Sequence, residues 1–166
     1  MLKNVALAMI LLACGAAGAM AARALAQRAR ELEAALRMLA GMRAQLQFSR
    51  PPLGRMLAEC CAAGQCPAFL PCALRELRAG AAFPQAWRGA VAGNSPALKE
   101  EDRRALLPLA EILGALDADG QCEALLVLEE QLRALLEQAR ARRDQRGKAL
   151  FLLGILAGLT VMILFL

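Results

Sequence analysis

Residues 149–166 read Ala-Leu-Phe-Leu-Leu-Gly-Ile-Leu-Ala-Gly-Leu-Thr-Val-Met-Ile-Leu-Phe-Leu, a run with no charge. At about 1.5 Å per residue, a helix of this length just crosses a hydrocarbon core of roughly 30 Å. Twelve of its residues are Leu, Ile, Val or Phe. At about −0.3 to −0.6 kcal/mol each, they favour insertion by roughly −4 to −7 kcal/mol. A buried core helix is the competing reading, but a soluble domain rarely closes on such a run. Before it stands a basic collar of Arg140, Arg142, Arg143, Arg146 and Lys148. Positive flanks stay on the cytoplasmic side, so the span is expected to leave the cytoplasm at Lys148. The working mass is expected earlier in the chain.

The other apolar segment, residues 4–22, is richer in alanine, with Val5, Leu7, Ile10, Leu11 and Leu12 its strong apolar residues. A cleaved signal peptide competes with a retained span here, since Lys3 precedes the run and Ala17-Gly18-Ala19 offers small residues for cleavage. Arg23, Arg28 and Arg30 follow at once. Positive charge after an apolar segment resists translocation, which favours a retained helix. The expected topology is a hairpin with both termini outside and residues 23–147 in the cytoplasm.

That middle segment holds 18 of the 20 Lys and Arg and all 15 acidic residues, a balance of 18 − 15, or +3. With five Phe, one Trp and no Tyr in the whole chain, it lacks stacking platforms, and nucleic acid is not an expected partner. Histidine is absent, which excludes Ser-His-Asp and Cys-His pairs and imidazole metal sites. Gly147-Lys148 is followed by Ala149 and forms no phosphate loop. An enzyme is not expected, nor a cofactor.

Leu25, Leu32, Leu39 and Leu46 recur every seven residues, with Leu36 and Met42 on the same side. This predicts one helix from the membrane to about Phe48, ended by Pro51-Pro52. A coiled-coil dimer competes with the inward stripe of a bundle helix, and the stripe is preferred. Leu53–Ala63 and Ala68–Ala79 read as further helices, the second closed by Gly80. In the next helix Phe83, Ala86, Trp87 and Ala90 form the apolar side, and Trp87 is read as core rather than as an exposed anchor. Ser95 is a good N-cap, with Pro96 at the first helical position. Pro108 should kink or split the helix that follows. Asp117-Ala-Asp-Gly120 separates a last helix in which Leu125, Leu128, Leu132, Leu135 and Ala139 point inward. The fold class is all-α: an antiparallel bundle of about six helices flanked by two transmembrane helices.

Cys60, Cys61, Cys66 and Cys72 cluster at irregular intervals, unlike zinc ligands. They read as small buried residues, with a membrane-tethered thiol or zinc protein as the alternative function. Gly154 and Gly158 permit close helix packing in the membrane, against the first span or another subunit, so a homo-oligomer remains open.

Three stretches carry a family resemblance: Gly80 to Trp87, Ala97-Leu-Lys-Glu-Glu-Asp102, and Leu113-Gly-Ala-Leu-Asp117 followed by Gln121. With the two terminal spans, their order resembles the stage III sporulation protein AB family. The chain departs from that pattern at Leu116, where Ser is usual, and at Pro108. The resemblance implies a helical domain like that of secretion and pilus platform proteins. It implies a mother-cell membrane location facing the forespore. It also implies a secretion-type ATPase and other membrane proteins of the same operon as partners. By that resemblance Leu113, Gly114, Asp117 and Gln121 are expected to form the partner-binding corner. On residue chemistry alone, Gly114 and Asp117 serve equally well to end one helix and cap the next.

Overall fold

Proline and glycine punctuate a chain that is otherwise made of good helix formers. The structure, a computed structural model, describes the backbone of residues 2–64, 66–113 and 117–164. Side chains are described in those stretches except at 2–15, 17–18, 118, 146–155, 157–159 and 161–164. The elements are α1 (Leu2–Phe48), α2 (Leu53–Ala62), α3 (Leu70–Arg78), α4 (Phe83–Gly93), α5 (Glu100–Leu106), α6 (Leu109–Ile112) and α7 (Ala118–Leu164). No strand occurs among the described residues.

The chain divides into two compact units, one of residues 1–29 and 138–166, the other of residues 30–137. The first is the outer parts of α1 and α7. Among the described residues no helix is long and apolar enough to cross a membrane. Both expected spans, 4–22 and 149–166, have helical backbone between residues 2 and 164, but most of their side chains, Gly154 and Gly158 included, lie outside the described residues.

The second unit is built around α4, which packs on α3, α5 and α6, while α3 packs on α2. Trp87 is fully buried, with the Phe69 ring edge-on at 5.3 Å and the Phe83 ring tilted at 5.7 Å. Its indole N–H donates to the Leu106 carbonyl at 2.9 Å. Pro108 explains why that carbonyl is available. It splits the expected single helix into α5 and α6, and the Ala110 amide turns back to Leu107 instead of Leu106. The indole therefore satisfies a carbonyl that the proline break leaves orphaned.

Gly80 ends α3 as the sequence predicts. It takes φ +95°, and the Ala81 amide reaches back to the Glu76 carbonyl at 3.1 Å. Ser95 differs from expectation, since α5 starts at Glu100 and not at Pro96. The Ser95 hydroxyl is buried and donates to the Val91 carbonyl. It also accepts the Arg103 guanidinium at 3.1 Å. Asp102 caps α5 instead, accepting the Lys99 amide at 2.9 Å. A serine side chain can bond backward or forward, and here the backward bond closes α4.

On α1 the buried stripe is Leu32, Ala35, Leu39, Met42 and Leu46, with Leu25 and Leu36 only half-buried. On α7 it is Leu125, Leu128, Leu132, Leu136 and Ala139, so Leu136 takes the place expected for Leu135. Arg43 on α1 and Glu129 on α7 form a forked ion pair, with N···O distances of 2.9 and 3.4 Å. Helix α7 begins at Ala118, so Asp119 and Gly120 lie in its first turn instead of a separating loop.

Candidate partner-docking corner

Helix α1 stops at Phe48 because two prolines follow at 51 and 52. The Gln45 carbonyl accepts both the Ser49 and the Arg50 amides at 2.9 Å. Arg50 then turns the chain with φ +44°, the one positive φ at a non-glycine residue among those described. That region is unfavourable for a residue with a β-carbon, by roughly 1–2 kcal/mol. The conformation directs Pro51-Pro52 into α2 and leaves the Arg50 guanidinium two-thirds exposed.

A cavity of about 230 Å³ opens here, lined by Leu46, Arg50, Pro51, Leu53 and Met56 from the α1–α2 turn and by Leu113 and Gln121. Leu113 caps the end of α6 in extended conformation and is buried. Gln121 is half-buried, one turn into α7, and its amide bonds the Asp117 carbonyl at 2.9 Å. Asp119 stands 3.9 Å from Arg50, both side chains largely in solvent. Such a pair contributes about 0–1 kcal/mol, so each charge is open to re-pairing.

Of the four corner residues expected from sequence, Leu113 and Gln121 share this cavity. Asp117 is exposed and does not line it, and Gly114 lies outside the described residues. The α1–α2 half was missed. Its signal was present in Pro51-Pro52, which sequence reasoning used only as a helix stop. The cavity is mostly apolar, with the Arg50 cation and the Gln121 amide in its lining.

Cys60, Cys61, Cys66 and Cys72 lie on or between α2 and α3. Cys60 is buried, and its thiol donates to the Met38 carbonyl at 3.9 Å. Burial, then the Glu59 charge and the neighbouring Cys66, push this thiol's pKa up. Burial and Cys66 push Cys61 up to about 11, from an ordinary 9.0. Cys72 accepts N–H groups from Arg75 and Asn94 at 3.1 and 3.2 Å. No group of three or more Cys, Asp or Glu is placed to hold a metal ion among the described residues.

The raised Cys61 value makes a prediction. The thiolate is the species that alkylates. In the folded chain, Cys61 labelling by iodoacetamide should stay slow at pH 8 and rise toward about pH 11, whereas the urea-unfolded chain should label near pH 9. The folded state holds this proton more tightly. Its contribution to stability is therefore present below pH 9 and lost as pH rises to about 11. Mass spectrometry of adducts against pH checks this, and equal profiles for the folded and unfolded chains would refute it.

A family model described as Stage III sporulation protein AB matches residues 3–166. A solved structure, "Stage III sporulation protein AB (SpoIIIAB)", is similar with a TM-score of 0.62 and 18% identity, over 72% of this chain and 98% of that one. At that identity the likeness shows the fold. No curated protein matches the chain.

Proposed function

The chain belongs to the stage III sporulation protein AB family, and from that premise we propose that it is a non-enzymatic platform in a secretion-like complex joining mother cell and forespore. Two membrane spans, residues 4–22 and 149–166, hold it in the mother-cell membrane. The helical unit faces the cytoplasm, where the α1–α2 and α6–α7 corner binds a secretion-type ATPase. Gly154 and Gly158 pack helices within the membrane. One observation carries the docking role. Leu113 and Gln121 line the same groove as Leu46, Pro51, Leu53 and Met56, with Arg50 and Asp119 exposed beside it. The apolar wall supplies contact area and the rim charges fix register, as in other protein interfaces. The lack of histidine agrees with a binding role.

Photo-crosslinking in sporulating cells tests partner and sidedness together. A crosslinking residue placed at Gln121 in the full chain should capture the cytoplasmic ATPase, and Arg50→Glu, which reverses the charge lining the groove, should abolish capture while leaving Trp87 emission unchanged. Capture that is absent in the parent, or that survives Arg50→Glu, would overturn the assignment.

A further inference from the structure

Away from that corner, two exposed helix faces carry opposite charge at the same spacing. On α1, Arg30 and Arg37 are exposed and seven residues apart, on a row that continues through Ala44 to Phe48, which is 89% exposed. On α7, Glu123, Glu130 and Glu137 are exposed at the same interval, with Leu126 and Val127 between the first two at 45% and 58% exposure. Seven residues of helix are about 10.5 Å, close to two full turns, so both rows run nearly straight along their helices. Among the described residues none of these five charges makes an ion pair within the chain. Nearby carboxylates are already engaged: Glu31 accepts the Ala68 amide at 3.0 Å, Glu59 pairs with Arg55 at 2.9 Å, and Glu33 also has a partner.

We propose that the α1 row docks the α7 row of a second copy of this chain, Arg37 against Glu130 and Arg30 against Glu137, with the two helices antiparallel. The register follows from what lies beside the charges. In this antiparallel alignment Leu126 falls opposite Gly41 and Val127 opposite Ala40. There a concavity of about 130 Å³ opens between α1 and α2, lined by Met38, Gly41, Gln45, Cys60 and Ala63, with the charged Arg37 and Glu59 also in its wall. A β-carbon on Gly41 would meet only the Cys60 sulfur, at 3.8 Å, so the floor is open to an apolar side chain. A parallel alignment would instead set Leu126 and Val127 against Glu33 and buried Ala34. Because the two faces differ, the contact is heterologous. Repeated, it builds a closed ring or an open filament. It uses none of the residues lining the 230 Å³ groove, so an assembled copy keeps its ATPase corner free.

Sedimentation equilibrium of the full chain in detergent micelles tests this. The parent should self-associate in about 0.1 M salt and weaken markedly at about 1 M, where the screening length falls from roughly 10 to 3 Å. Arg37→Glu and Glu130→Arg should each weaken association about tenfold or more, and the double variant Arg37→Glu/Glu130→Arg should recover it. An equimolar mixture of the two single variants should recover association with the two alternating, since both cross contacts, the reversed pair and the native Arg37–Glu130 pair, are complementary. Unchanged Trp87 emission verifies the fold of each variant. A monomeric parent, single variants that associate like the parent, or a double variant that fails to recover would overturn the proposal.

Discussion

Trp87→Ala is expected to lower the unfolding free energy by about 3–5 kcal/mol. The side chain is fully buried between Phe69 and Phe83, and deleting it opens a large cavity at the centre of α3, α4 and α5. It also removes the only indole, whose N–H satisfies the Leu106 carbonyl at 2.9 Å. An unsatisfied buried carbonyl costs about 1–3 kcal/mol by itself. Against a total stability of roughly 5–15 kcal/mol, the variant should melt near growth temperature. Trp87→Phe separates the two contributions. It keeps most of the aromatic area and loses only the hydrogen bond, so it should fall between parent and alanine variant. Urea titration followed by circular dichroism measures all three. A phenylalanine variant as stable as the parent would show that the Leu106 carbonyl finds another donor.

Leu39→Ala should destabilise by about 2–5 kcal/mol, and Leu36→Ala by clearly less. Both leucines fit the heptad reading of α1, yet Leu39 is wholly buried and Leu36 only half so. Ala35 occupies the core position that Leu36 was expected to share. The same holds on α7, where Leu136 is buried and Leu135 half-buried. Thermal melts of the two α1 variants decide the matter. Equal losses would mean that the stripe is centred between them.

These shifts have a common origin. Side chains on a helix advance about 100° per residue, so a leucine pair such as 135–136 offers two nearly equal ways of facing a core. Periodicity finds the face to within about one residue, and only packing against the neighbouring helix selects the member of the pair. Ser95 repeats the lesson at a helix end. Its residue type announces a cap but not which helix it closes, and the nearby Val91 carbonyl and Arg103 decided that.

Local signals were legible where one residue's covalent geometry dictates the outcome. Pro51-Pro52 ends α1, Gly80 takes the left-handed turn after α3, and Pro108 splits α5 from α6. The leucine spacing announced long helices, and the resemblance placed Leu113 and Gln121 in a corner. Sequence alone thus determined an all-α chain, its helix count to within one among the described residues, and Trp87 as core; the resemblance named two of the residues that line the 230 Å³ groove. The tertiary structure decided the rest of that groove, because Leu46, Leu53 and Met56 meet Leu113 and Gln121 only across more than fifty residues of chain. No local propensity encodes such a meeting. It is set by how α1 and α2 turn at Arg50 and by where the end of α6 delivers Leu113, both consequences of packing a whole core at once.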